Sequence, residues 1–132
     1  MSINIIFKRE GWSPVVEDDG QQLILHVPIE SGFLGFSKSF IINHQDLKIL
    51  QNNDERYYFL FAYIHYKYQM HPKDSLLRDD DVGFILHEVE TEVEALLTKA
   101  DNLSNGAVSN LIRISMGRDQ KLMRNGKWFL RK

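Results

Sequence analysis

The chain has no cysteine, and this absence removes several classes of function at once. Without thiols there is no disulfide framework, no zinc–thiolate site and no cysteine nucleophile, and a reducing compartment is the simplest setting. Proline and glycine are also scarce, at 3 and 8 of the 132 residues. These low counts exclude collagen-like and low-complexity architectures.

A long apolar run is missing as well. Residues 1–10 place their charges after a very short apolar stretch, whereas a secretory signal needs a basic start followed by about 7–15 apolar residues. The most apolar run, Tyr57 to Tyr68, contains His65 and Lys67 and is shorter than the roughly 18–20 residues that span a bilayer. We therefore expect a cytoplasmic protein with no membrane partner.

The composition that remains is that of a soluble globular protein. Hydrophobic residues make up 43% of the chain, charged residues 26% and aromatic residues 11%, so a substantial core is available. This excludes a disordered chain, which lacks the apolar area needed to offset its ordering entropy. A length of 132 residues predicts a single domain over 1–132.

The N-terminal third is typical of β-structure. Runs rich in β-branched residues lie at Ile3–Lys8, Val15–Glu17, Gln22–Val27 and Lys38–Asn43, and Asp19-Gly20 between two of them is a strong hairpin signal. We expect an antiparallel sheet of three or four strands over residues 1–43. Residues 30–36 are expected to form a loop that carries large apolar side chains, which are weaker candidates for an interface: Phe33, Leu34 and Phe36.

Two main helices are expected after the sheet. Asn43 can cap a short turn through Gln51, and Asn53 or Asp54 can start a helix over 54–70 whose residues are apolar nearly all round, as in a centrally buried helix. A further helix is predicted over 80–101. Its apolar residues follow one stripe at the 3.6-residue period: Val82, Ile85, Leu86, Val89, Val93, Leu96, Leu97 and Ala100.

The C-terminal quarter is less regular. Val108–Ser115 is compatible with a strand or a short helix, and we favour the strand. Asn125-Gly126, between residues 121–124 and 127–130, predicts a two-residue β-hairpin. The fold class is therefore predicted as α+β, with an N-terminal antiparallel sheet packed with two main helices and a C-terminal β-hairpin.

The charges are distributed very unevenly. Residues 72–103 carry three bases and nine acids, a net −6, whereas residues 104–132 carry seven bases and one acid, a net +6. A formal net charge of −2 for the whole chain therefore conceals an acidic and a basic pole.

Four glutamates on the helix predicted over 80–101 lie away from its apolar stripe: Glu88, Glu90, Glu92 and Glu94. Two pairs of them are four residues apart, a spacing at which like charges destabilise an isolated helix by about 0.2–0.5 kcal/mol per pair. One explanation is a solvated face or a face that docks onto the basic C-terminus of the same chain. The other is an electropositive partner, whose association such a field accelerates.

No catalytic or metal-binding motif is visible. His65 and His71 are six residues apart, and His87-Glu88 lacks the second histidine of a helical zinc motif. The acids at residues 79–81 lack the ligand spacing of a calcium loop and are explained by a helix N-terminus. We therefore predict no cofactor, no metal and no enzyme. A triad assembled from distant residues would not be visible in the sequence, so a small hydrolase stays a third alternative.

The acidic helix Asp79–Ala100, the aromatic helix Tyr57–Tyr68 and the N-terminal sheet together form a profile. It resembles the immunity proteins of bacterial toxin–immunity systems, in particular those that protect cells against contact-dependent growth-inhibition toxins. The resemblance implies a cytoplasmic, non-enzymatic inhibitor that binds a cognate toxin domain, often a basic nuclease, and occludes its active site. Carboxylates would then engage the Lys and Arg side chains that the toxin uses for its substrate.

The residues expected to contact such a partner are acidic side chains of the helix predicted over 80–101 and its start: Asp79, Asp80, Asp81, Glu88, Glu90, Glu92 and Glu94. The alternative function is nucleic-acid binding by the basic C-terminal hairpin, with Trp128 or Phe129 stacking on a base. A sequence pI near 6.2 disfavours this alternative. So does the adjacency of Trp128 and Phe129, which in a strand point to opposite faces, so that one belongs to the core.

Overall fold

A computed structural model describes residues 4–9, 13–31, 34–70 and 80–130 of the chain. Four strands come first: β1 (Asn4–Lys8), β2 (Val15–Asp18), β3 (Leu23–Ser31) and β4 (Leu34–Ile42). Helices follow in the described residues: α1 (His44–Asn52), α2 (Asp54–Met70), α3 (Asp80–His87), α4 (Glu90–Leu103), α5 (Ala107–Met116) and α6 (Gln120–Arg124). The predicted α+β class and N-terminal antiparallel sheet are confirmed.

The sheet is an antiparallel meander in the order β1-β2-β3-β4. The predicted Asp19-Gly20 hairpin joins β2 to β3, and Gly20 has a φ of 96°, which a residue without a Cβ adopts at little cost. Hydrogen bonds from the backbone N–H groups of Gln21 and Gln22 lower the pKa of the Asp19 carboxyl. Alternate residues of β3 are buried against the helices: Leu23, Leu25, Val27 and Ile29.

The loop expected over residues 30–36 is wrong for most of that segment. β3 and β4 pair as far as Ser31 opposite Leu34, so both strands run through it and form one long hairpin. The periodic signal is weak there because glycines interrupt it. Gly32 and Phe33 lie outside the described residues, as do the side chains of Leu34 and Phe36, the weaker interface candidates.

The first two helices follow the predictions closely. Asn43 caps α1 because its Oδ1 accepts the N–H of Asp46 while the Asp46 carboxylate accepts the N–H of Asn43, a reciprocal capping box. The Asn53 side chain accepts the N–H of Arg56 at the start of α2. Helix α2 contacts β3 as well as α1, α3, α4 and α5, so its apolar residues are buried on nearly every side, as predicted.

The single helix predicted over 80–101 is wrong, because the chain breaks at Glu88 and Val89 into α3 and α4. Arg56 of α2 donates a hydrogen bond of 2.9 Å to the carbonyl of Ile85 and so binds the C-terminal end of α3. Val89 is extended, with φ −62° and ψ 151°, and its side chain is 58% exposed instead of continuing the buried stripe. This contact at the break comes from a residue 29 positions earlier, which periodicity does not reveal.

Both predictions for the C-terminal quarter are wrong. Residues 108–115 belong to helix α5, in which Val108 and Ile112 are buried one turn apart. No C-terminal hairpin forms, because Asn125 and Gly126 instead end helix α6. The N–H groups of Lys127 and Gly126 donate to the carbonyls of Leu122 and Met123, and Gly126 takes a φ of 90°. This is a Schellman cap, which needs the same left-handed glycine as a hairpin turn.

Residues 127–130 then return across the helices as an irregular segment. Trp128 and Phe129 are 1% and 4% exposed, and both rings meet Phe59 of α2 edge to face. The expectation that only one of these two aromatic residues joins the core is wrong, because the segment is not a strand. None of the helices in the described ranges is long and apolar enough to cross a membrane.

Candidate functional site

The structure places the acidic residues of the predicted site in different environments. Asp79 lies outside the described residues, and Asp80 is exposed in the first turn of α3. Asp81 is bound within the molecule, since its Oδ2 accepts hydrogen bonds from the Tyr63 hydroxyl at 2.7 Å and from Lys67 Nζ at 3.2 Å. Asp81 therefore serves the contact between α3 and α2.

Glu94 is buried and holds the C-terminal segment. Its Oε2 accepts the backbone N–H groups of Trp128 at 2.7 Å and of Phe129 at 3.0 Å, and the residue is only 6% exposed. Glu55 of α2 accepts the next N–H, that of Leu130, and also pairs with Arg118. The expectation that Glu94 faces a partner is therefore corrected: part of the acidic pole does dock onto the C-terminus of the same chain.

The sequence contains a signal for this role that the analysis of the apolar stripe passed over. Glu94 and Asp101 are seven residues apart, and each directly follows a buried apolar residue of α4. Asp101 is 1% exposed and its Oδ1 accepts the N–H of Ser109 in α5. Acids that recur in phase with an apolar stripe thus mark carboxylates that bind neighbouring segments.

The remaining glutamates surround an exposed apolar residue at the junction of α3 and α4. Glu88, Glu90 and Glu92 are all exposed, and Val89 lies among them in the sequence. We call residues Glu88, Val89, Glu90 and Glu92 the acidic corner. The break between the helices creates it, since a continuous helix would bury Val89 in the stripe.

Arg56 contacts both the end of α3, next to the acidic corner in the sequence, and the C-terminal segment. Its guanidinium lies over the Phe129 ring at 5.2 Å and donates to the Ile85 carbonyl. Burial lowers the pKa of Arg56, whereas the charges of Glu90, Glu55 and Glu88 oppose this lowering. The charges of Glu88 and Glu90 therefore favour the charged form of this partly buried arginine. Docking onto the C-terminus of the same chain therefore accounts for Glu94, whereas Glu88, Glu90 and Glu92 are exposed.

Two surface depressions are lined by residues that neighbour the acidic corner in the sequence, His87 in one and Thr91 in the other. One, of about 340 Å³, lies between α1 and the end of α3 and ends at His87, next to Glu88. The other, of about 700 Å³, runs along α4 from Thr91 to Leu103 and reaches Gly126. The acidic corner lines neither depression, and Leu103 in the second is 69% exposed.

His87 is held by a buried carboxylate that the sequence analysis missed. Its Nε2 lies 2.5 Å from Oδ1 of Asp46, whose side chain is 12% exposed and also belongs to the capping box of α1. The contact joins residues 41 positions apart, so the sequence can indicate only the capping role of Asp46. The pair fixes the histidine ring beside the first depression.

A second histidine lies in an array that has the residue types of a hydrolytic triad. Ser39 Oγ is 2.7 Å from Nδ1 of His26, and Nε2 of His26 is 3.3 Å from Glu17. Acyl transfer also needs donors for the oxyanion, but these residues lie on β4, β3 and β2, which pair in the sheet ladder. His26 Nε2 makes no hydrogen bond with the described residues, so we assign no catalytic step to this array.

Metal binding has little support from the described residues. No three His, Asp or Glu side chains of that part of the chain come together in a way that could hold a metal ion. The one strong carboxylate–imidazole pair, Asp46 with His87, has no third ligand in the same described set.

The basic C-terminal end is partly neutralised by the fold. Arg118 pairs with Glu55 at 2.9 Å and Arg124 lies 3.6 Å from Asp101, while Arg113 donates to Asn110. The two aromatic residues proposed to stack on bases are both buried. This arrangement removes the stacking platform on which the nucleic-acid alternative relies. Arg131 and Lys132 lie outside the described residues.

Comparison with known proteins assigns no family to this chain. No family model, no curated protein and no solved structure gives a significant match. The geometry of the described residues is therefore the basis for the functional proposal.

Proposed function

We propose that the chain is a non-enzymatic inhibitor that binds an electropositive protein through the acidic corner, in the manner of an immunity protein that neutralises a toxic nuclease. The observation that carries the proposal is the exposure of Glu88, Glu90 and Glu92 around an exposed Val89. The carboxylates would occupy the cationic site where the toxin binds nucleic-acid phosphates, and so exclude its substrate.

The acidic corner combines the two features that such an interface uses. Its charges raise the rate of encounter with a cationic partner, and an apolar residue at the centre gains free energy when water leaves it. The C-terminal segment is bound by Glu94 and Glu55, whereas Glu88, Glu90 and Glu92 are exposed in the fold. The nucleic-acid alternative has no comparable support, because Trp128 and Phe129 are buried.

A protection experiment tests the proposal. The proposal predicts that a secreted protein with a toxic C-terminal domain is encoded immediately upstream, and this domain is expressed with this chain or with the variant E88Q/E90Q/E92Q. We expect the wild-type chain to restore growth and to bind the purified toxin domain, and the triple variant to bind at least about tenfold more weakly. Absence of a toxic domain from the neighbouring reading frame, or of binding to it, contradicts the proposal.

A matched control removes three carboxylates elsewhere, in the variant D19N/D54N/D119N. Asparagine retains the turn-forming role of Asp19 and the helix-capping role of Asp119, and at the exposed Asp54 it removes one ion pair with Arg9. Protection should persist. The charges of Glu88 and Glu90 favour the charged form of Arg56, so the triple variant also changes the surroundings of that arginine. The single variant E92K keeps both glutamates and so tests the acidic corner without this change. If E92K and the triple variant both protect as well as the wild type does, the acidic corner is not the binding surface. Binding to labelled RNA with a steep salt dependence would instead support the alternative function.

A further inference from the structure

The two outer strands of the sheet, β1 and β4, differ in how well their free edges are protected. β1 has five residues, its pairing with β2 shifts register between Ile5 and Phe7, and it ends in Lys8. A short strand, an irregular register and a terminal charge are features that prevent an edge strand from pairing with another chain. The edge of β1 is therefore protected.

The edge of β4 lacks these features. β4 pairs with β3 over its nine residues, from Leu34 to Ile42, without a shift in register, and it contains no proline. Its one charged residue is Lys38, whose Nζ lies 5.1 Å from the centre of the Tyr68 ring in α2. Within the described residues the sheet ends at β4. A long and regular strand therefore forms this edge.

Pro28 of β3 indicates which peptide groups of β4 are directed outwards. It lies opposite Ser37 and has no backbone N–H to donate. Hydrogen-bonded and non-hydrogen-bonded pairs alternate along an antiparallel ladder, and a proline fits only the second kind. The N–H and C=O groups of Ser37 are therefore directed away from β3, and by the same alternation so are those of Gly35, Ser39 and Ile41. Such a row of backbone groups is matched by an extended chain.

The sequence of β4 is complementary to itself in the antiparallel direction. Residues 36–40 read Phe-Ser-Lys-Ser-Phe, which is the same in both directions. Antiparallel pairing of two copies about Lys38 therefore places every residue of this segment opposite one of its own type. In this register Ser37 of one copy and Ser39 of the other form hydrogen-bonded pairs through the outward-directed groups. The central lysines are the one like-charged pair, and each has the Tyr68 ring of its own chain beside it.

We infer that the free edge of β4 pairs with the same edge of a second copy of this chain, antiparallel and centred on Lys38. The two four-stranded sheets then form one continuous sheet. The inference is independent of the proposed function, because its occupant is the chain itself and not a toxin. A contact made by one strand of each copy is small, so we expect a dimer that dissociates at micromolar concentration.

The test measures the mass of the chain alone by sedimentation velocity at concentrations from about 1 to 300 µM. We expect the mass of the wild type to rise from that of one chain towards that of two. In the variant S37K/S39K lysines lie directly opposite lysines, and the dimer should dissociate at a concentration at least about tenfold higher. In the matched variant S37K/S39E each lysine lies opposite a glutamate, and the dimer should be restored.

A further control places a charge on the other edge of the sheet. Ile5 of β1 is 56% exposed, and I5K should associate as the wild type does. A wild-type chain that remains monomeric over the whole concentration range overturns the inference, and equal association of S37K/S39K and S37K/S39E contradicts the register. The variant E88Q/E90Q/E92Q alters no residue of β4 and should still dimerise, so failure of the dimer and failure of the proposed function are distinguishable. Salt screens the central lysine pair, so dimerisation should not weaken as salt rises, unlike binding to a cationic toxin.

Dimerisation that does weaken with salt contradicts the pairing about Lys38.

Discussion

Glu92 and Glu94 are two residues apart in α4 and have opposite environments. Glu92 is exposed, whereas Glu94 is 6% exposed and accepts two backbone N–H groups of the C-terminal segment. A count of charges in the sequence treats the two residues alike. Glu94 directly follows a buried residue of the apolar stripe, and the N–H groups that it accepts come from the C-terminal segment, 34 residues away.

This difference predicts very different stabilities for two alanine variants. Glu94→Ala leaves the buried N–H groups of Trp128 and Phe129 without an acceptor, so it should lower the free energy of unfolding by about 2–4 kcal/mol. Glu92→Ala should change it by less than about 0.5 kcal/mol. Urea denaturation of both variants measures the difference. Similar small effects in both would contradict the assigned contacts of Glu94.

At the scale of elements, the predictions are confirmed where a local sequence signal is compatible with only one structure. The Asn43 cap, the Asp19-Gly20 turn and the all-round apolar pattern of α2 each predict one outcome, and each is observed. Asn125-Gly126 is ambiguous, because a left-handed glycine serves a hairpin turn and a helix cap equally well. The break before α4 was beyond prediction because Arg56, which binds the end of α3, comes from another helix.

The cap of α6 can be tested with a pair of glycine variants. At Gly126 an added Cβ would lie 3.7 Å from Thr98 Oγ1, an ordinary contact, so Gly126→Ala should destabilise only through its φ of 90°, by about 1–2 kcal/mol. Gly83 lies inside α3 with open space at the Cβ position, and Gly83→Ala should stabilise by about 0.5–1 kcal/mol. Thermal unfolding gives both values. Changes of the same sign would contradict either the cap or the helix.

At the scale of the whole molecule, the two charged poles seen in the sequence are only partly opposed in the fold. Glu94, Glu55 and Asp101 hold backbone groups or arginines of the C-terminal quarter, whereas the acidic corner stays exposed. The charge pattern of the sequence identified Glu88, Glu90 and Glu92, which are exposed, and their contact with a partner stays a prediction. The sequence could not identify the segments that bind Asp81 and Glu94 internally, nor the depressions, since both depend on how separate helices pack.

The proposed function predicts that the exposed carboxylates assist the association with a toxin domain electrostatically. The association rate constant, measured by stopped-flow fluorescence over a range of salt from about 0.05 to 0.5 M, tests the central role of the acidic corner most directly. We predict a fall of about tenfold or more across this range for the wild-type chain and for D19N/D54N/D119N, and a clearly shallower dependence for E88Q/E90Q/E92Q and for E92K. An association rate that is insensitive to salt, or equally sensitive in all four proteins, would contradict the central role of the acidic corner.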